Sequence, residues 1–73
     1  MNKNISFAKW IKRFENEDSA IGDLAYDIKR DNRFPKKAKR RNTIFNYLVR
    51  YACKAALDTF EYAYKEYDTE KQN

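Results

Sequence analysis

Ser6-Phe7-Ala8-Lys9-Trp10-Ile11-Lys12-Arg13-Phe14 carries large apolar residues at 7, 10, 11 and 14. An α-helix turns once in 3.6 residues, so the spacing i, i+3, i+4, i+7 lines these side chains along one face. Ser6 stands just before the stripe, where its hydroxyl can accept an orphan backbone N–H and start the helix. The polar run Glu15-Asn16-Glu17-Asp18 offers nothing to bury. A helix over about 6–15 is therefore expected.

The same period continues along the chain. Ile21, Leu24, Ala25 and Ile28 form a second stripe, capped by Ser19 or Asp18, with Asp23 near its start and Lys29 and Arg30 near its end. That charge order complements the helix dipole, and a helix over 19–32 follows. Gly22 in its first turn costs about 1 kcal/mol relative to Ala. It marks either a fraying end or the close approach of another helix. Pro35 stops the helix or lies just past it, and it pushes Phe34 toward extended backbone. Phe34 should plug the core. Ile44, Tyr47, Leu48 and Tyr51 give a third stripe, starting at Asn42 or Thr43 (helix 43–50). Ala56, Leu57, Phe60, Ala63, Tyr64 and Tyr67 give a fourth (helix 52–68). No Gly or Pro separates the last two. One rod would be long for a globular helix and would leave little to fold back on the first two, so a bend near Arg50–Ala52 is expected.

These stripes predict an all-α, four-helix bundle occupying 1–73 as one domain, with an ordered core of about 5–68 and a frayed tail at 69–73. Its core should contain Phe7, Trp10, Ile11, Ile21, Leu24, Ile28, Phe34, Ile44, Leu48, Leu57, Phe60 and Tyr64. Composition agrees: 73 residues are 42% hydrophobic and 16% aromatic, too rich in rings for a disordered tail. One Gly and one Pro are too few for the turns of an all-β fold. There is no His and a single cysteine, Cys53 in an Ala-rich stretch. An intramolecular disulfide and a Cys/His zinc site are thereby excluded, and a Cys/His nucleophile lacks its base. Cys53 reads as a small helix residue. No export signal or long apolar run is evident, so a cytoplasmic location is expected.

The net charge of +5 is unevenly placed. Residues 1–28 and 42–73 each sum to −1, whereas 29–41 hold eight basic residues against Asp31. Those eight are Lys29, Arg30, Arg33, Lys36, Lys37, Lys39, Arg40 and Arg41. Such a cluster suits phosphate: it releases condensed counterions from a polyanion, and guanidinium groups bind phosphate bidentately. The competing uses are docking on an acidic protein, contact with an anionic membrane surface, and plain solvation. Only Phe34 is interleaved as an aromatic within the cluster. That disfavours stacking on single-stranded bases and favours the backbone of a duplex. Tyr26, Tyr47, Tyr64 and Tyr67 read as core or core-edge, and Tyr62 as the exposed ring. The carboxylates Glu15, Glu17, Asp18, Asp23 and Asp27 gather at the first helix connection. A chain this small offers little cleft to desolvate them into an acid–base pair, so capping and solvation explain them. No Gly-rich phosphate loop or nucleophile elbow is present, and neither enzyme activity nor a cofactor is expected.

The blocks Phe7-x-x-Trp10-Ile11, Ile21-Gly22-Asp23-Leu24-Ala25-x-Asp27-Ile28, Asp31-x-x-Phe34-Pro35, Ile44-x-x-Tyr47-Leu48 and Phe60-x-x-Ala63-Tyr64-x-x-Tyr67 together resemble the YozE-type SAM-like family of small bacterial proteins. The resemblance spans about residues 5–68 and implies a compact four-helix SAM-like fold. The family often has Trp where this chain has Tyr64. A loop this basic is not part of the resemblance, so the reading of Lys36–Arg41 rests on this chain alone. SAM-like modules bind nucleic acids or other proteins, and fold alone does not choose between them. The expectation is a non-enzymatic nucleic-acid-binding module, contacting DNA or RNA phosphates through 29–41 without reading sequence. It would be a monomer or a weak self-associator. The alternative is a protein-interaction module that binds an acidic partner or itself.

Overall fold

The Ser6 hydroxyl accepts the Lys9 backbone N–H at 3.2 Å and starts α1, Phe7–Ile11. The helix tightens into a 3-10 turn over Lys12–Phe14. Ser19 caps α2, Ala20–Arg30, by accepting the Gly22 N–H at 3.1 Å. Its own hydroxyl donates to Glu17 Oε1 at 2.9 Å. α3 spans Arg41–Tyr51 and α4 spans Lys54–Lys71. This computed structural model describes residues 5–71. The expected fraying of 72 and 73 lies outside them.

The four helices and the break between α3 and α4 match the sequence expectation. Ala52 leaves helical geometry (φ −112°, ψ 157°), and Cys53 lies in the break, exposed, instead of inside a helix. No turn residue forces this bend. Leu48 on α3 and Phe60 on α4 are both buried in one core, which a straight rod could not achieve. Packing thus overrides local helix propensity.

Helix ends differ from expectation by a few residues. α2 stops at Arg30 instead of 32, because Asp31 turns to extended backbone (ψ 104°). α3 begins at Arg41 with no side-chain cap, since Asn42 Oδ1 accepts from Arg41 Nη1 instead. α4 runs to Lys71, three residues past the expected 68.

The core is Phe7, Trp10, Ile11, Leu24, Ala25, Ile28, Phe34, Ile44, Leu48, Phe60, Ala63 and Tyr67. Ile21, Leu57 and Tyr64, expected inside, are only partly buried at its edge. Ala25, Ala63 and Tyr67 take their places. Tyr67, read from the sequence as core or core-edge, lies fully inside: its ring stands edge-on to Phe7 at 5.5 Å, and its hydroxyl donates to the Ile5 carbonyl at 2.7 Å. A buried phenol needs such a partner. Tyr26, expected at the core edge, is 48% exposed; it lies off the stripe, under the Arg30 guanidinium.

Gly22 resolves in favour of close approach, though not by another helix. The chain between Phe14 and Glu17 crosses over it. A Cβ at this position would fall inside hard contact with the Glu17 carbonyl oxygen and 3.0 Å from the Phe14 carbonyl oxygen. Both obstacles are backbone. In an ordinary helix Gly→Ala stabilises by about 1 kcal/mol. Here Gly22→Ala is expected to destabilise by about 1–3 kcal/mol through overpacking. In a domain this small that lowers Tm by several degrees or more, read by thermal circular dichroism. An unchanged or raised Tm would contradict the crossing.

Candidate functional site

The connection between α2 and α3 holds most of the basic cluster, and its backbone is fixed from several sides. Asp31 begins it. Its Oδ1 accepts the Arg33 backbone N–H at 2.9 Å, an Asx turn, and its Oδ2 accepts the Tyr47 hydroxyl. The Phe34 N–H donates to the Asp31 carbonyl at 3.3 Å, and the Ala38 N–H to the Pro35 carbonyl at 3.0 Å. Phe34 is buried at 4% exposure, edge-on to Tyr47 with ring centroids 5.5 Å apart. Further along, the Ala38 carbonyl accepts the Phe7 N–H at 3.2 Å. The Lys39 carbonyl accepts the Tyr64 hydroxyl at 2.7 Å. Asp31, Phe34 and Pro35 therefore each have a structural task in the turn.

The eight basic residues divide by partner. Lys29 Nζ lies 3.2 Å from Glu15 Oε1. Arg30 stacks over Tyr26 at 5.3 Å and donates to its hydroxyl at 3.2 Å. Lys36 Nζ donates to the Lys29 carbonyl at 3.3 Å. Arg41 makes a two-pronged ion pair with Glu61 on α4, with Nε–Oε1 at 3.0 Å, and lies 4.7 Å from the Phe45 ring centre. That pair raises the Arg41 pKa above its ordinary value, the hydrogen bond to Glu61 being the main cause. Arg41 is thus a clamp between the start of α3 and α4. Arg33, Lys37, Lys39 and Arg40 are exposed, and none is ion-paired among the described residues.

Two groupings reach beyond the basic segment. Lys9 of α1 and Lys12 of the 3-10 turn join Lys29 and Lys36 around a groove of about 390 Å³, floored by Ala25 and Ile28. Lys9 and Lys12 belong to a stretch of net charge −1, so charge along the sequence does not reveal them. Their positions opposite the α1 stripe could have. Second, Arg33 shares a shallow depression of about 400 Å³ with Asn46, Tyr47, Arg50 and Tyr51. Tyr51 is 60% exposed and Tyr62 61%; Tyr62 was expected outside, while Tyr51 was assigned to the α3 stripe. The carboxylates near the first connection do not act as a group: Glu15 faces Lys29 and Glu17 takes the Ser19 hydroxyl.

The Asp31–Tyr47 bond leaves a titration signature. The Tyr47 hydroxyl, followed by the Arg33 N–H, holds the Asp31 carboxyl below its ordinary 3.8. In return, the hydrogen bond to Asp31 pushes Tyr47 from 10 up to about 12. A depressed carboxyl stabilises the fold above its unfolded value and loses that contribution as pH falls through the native value. A raised phenol stabilises below about pH 10 and loses that contribution as pH rises toward about 12. Ultraviolet titration of tyrosinate should show late ionisation from Tyr47 and from Tyr67, which burial also raises, and the Tyr47 step should disappear in Tyr47→Phe. In Asp31→Asn that step should move back toward 10. A wild-type-like step in Asp31→Asn would show that the carboxylate does not hold Tyr47.

No similar protein was found among curated proteins, nor a similar fold among solved structures. The first three helices, all but the last two residues of α4, the Asp31–Pro35 turn and the α3–α4 break fall within one matched region. Residues 6–69 match the family described as the YozE SAM-like fold, and the chain belongs to that family.

Proposed function

We propose that this chain is a non-enzymatic nucleic-acid-binding module that meets phosphates through its 29–41 surface without reading base sequence. One observation carries the reading. Lys37, Lys39 and Arg40 stand without a carboxylate partner among the described residues, on a connection whose backbone is hydrogen-bonded to α1 and α4. Within the same segment, Arg41 and Arg30 are engaged inside the fold by an acid and by an aromatic face. Lys37, Lys39 and Arg40, left without an ion pair close together on a fixed backbone, suit an external polyanion. Holding the backbone in place lowers the ordering cost of binding. The four-lysine groove beside Lys36 extends the same electrostatic surface.

A shift in salt dependence tests this. Labelled duplex DNA, single-stranded DNA and RNA are titrated at two salt concentrations, by fluorescence anisotropy, with the wild type and a Lys37→Ser/Lys39→Ser/Arg40→Ser variant. The three side chains make no hydrogen bond or ion pair among the described residues, and Ser is a better cap than Arg at the start of α3, so the variant should melt no lower than the wild type. Each phosphate contact contributes roughly 0.7–0.9 to the slope of log K against log salt. The variant's slope should therefore be shallower by about 2–3, with weaker binding at low salt. If no polyanion binds at low salt, or the triple variant binds unchanged, the proposal fails. Recovery of an acidic protein partner by a chain that binds no nucleic acid would favour the interaction-module alternative.

A further inference from the structure

Residues from the α2–α3 connection and from the outer face of α3 come together around Tyr51. Phe34 is buried, Tyr47 stands edge-on to it at 5.5 Å, and Tyr51 leans on Tyr47 at 4.7 Å with the rings inclined by 40°. The three rings form a ladder from the core to the surface, and the last ring is 60% exposed. Its middle member cannot swing, because the Tyr47 hydroxyl is tied to Asp31. Arg33 and Arg50 lie in the same depression as Tyr47 and Tyr51, together with the Asn46 amide. Neither arginine is ion-paired among the described residues.

A single exposed ring is ordinary on a protein surface, as Tyr62 is here. This one is backed by a second ring on one side and flanked by two guanidinium groups. That combination of π-face and cation matches an unpaired nucleobase with its adjoining phosphates. A second copy of this face would be a poor occupant: in a two-fold contact the arginines would meet their own copies.

Resting on the reading of the basic surface as a phosphate contact, we infer that Tyr51 is a stacking platform for an unpaired base, and that the ligand is single-stranded nucleic acid. Tyr51 would take the base face, Arg33 and Arg50 the flanking phosphates, and Asn46 a base edge or sugar. The Asp31–Tyr47–Phe34 support holds the platform in place before binding, so less freedom is lost on stacking. The scarcity of aromatics within 29–41 favours a duplex only if the sequence is read linearly. Folding brings Tyr47 and Tyr51 beside Arg33 from another helix.

Short labelled oligothymidylate, oligouridylate and a duplex of equal length are titrated with wild type, Tyr51→Ala and Tyr51→Phe, with thermal melts of each. Because the side chain is mostly exposed, both variants should melt like the wild type. Tyr51→Ala should lose about five- to a hundredfold in single-strand affinity, the range for one stacked base. Tyr51→Phe should keep that affinity, and duplex binding should not change. Thymidylate against uridylate then shows whether DNA or RNA is the better source of the strand. Poly-glutamate, which offers charge without rings, should compete poorly. A duplex bound as tightly as the single strand, with Tyr51→Ala altering neither, would overturn the platform and leave the phosphate reading standing. Equal competition by poly-glutamate would do the same. Failure of every oligonucleotide to bind at low salt would remove both.

Discussion

Phe7 is the residue around which the structure closes. Its side chain has no exposure, and its ring centre lies 5.4–5.9 Å from those of Trp10, Phe60, Tyr64 and Tyr67. Burial of a Phe side chain contributes about 1.5–3 kcal/mol, and well-oriented aromatic pairs add about 0.5–1.5 kcal/mol. In a domain of 73 residues with marginal stability, one such residue is a large share of the total. Two of its neighbours also hold the chain on either side: Tyr67 bonds the Ile5 carbonyl and Tyr64 the Lys39 carbonyl. Phe7's own N–H reaches Ala38. One aromatic cluster therefore joins α1 to α4 and fixes the far end of the basic connection.

That arrangement separates two kinds of residue. The turn from Asp31 to Pro35, Tyr47, Tyr64 and Tyr67 all spend their polar groups inside the fold. They are also members of the blocks that carry the family resemblance. The four cations from Lys36 to Arg40 lie outside those blocks, and none is ion-paired among the described residues. The fold is thus a scaffold held by aromatic and hydroxyl contacts, and its unneutralised charge is an addition to it. Arg41 belongs to the scaffold in spite of its place in the basic run, because Glu61 engages it from α4.

Much of the fold was legible because its signals are local. Ser6 and Ser19 cap where a hydroxyl before an apolar stripe should cap, and Phe7, Trp10, Ile11, Leu24 and Ile28 are buried as their spacing requires. The bend near Ala52 was inferred from the need to fold back, which is the physical cause found. What escaped depended on contacts between distant segments. Tyr64 and Tyr67 both meet the Phe7 ring, and only packing decides that Tyr67 is fully buried while Tyr64 stays at the edge with its hydroxyl on the Lys39 carbonyl. Gly22 is needed by a backbone crossing that no helical period encodes. At the candidate site, the eight cations could be counted in sequence, but not sorted. Arg41's partner is twenty residues away at Glu61, and the grouping of Tyr51 with Arg33 exists only after α3 packs against the connection.

The central claim is that a connection held by the Phe7 cluster presents its free cations to a strand of nucleic acid. An amide-resolved NMR titration of the labelled protein with a short single-stranded oligonucleotide addresses it most directly. Shifts should concentrate at 33–40 and around Arg50 and Tyr51. The Phe7 amide should stay protected from exchange, and the surface around Tyr62 should stay silent. Shifts centred on Tyr26 or Tyr62, or none at low salt, would contradict the account.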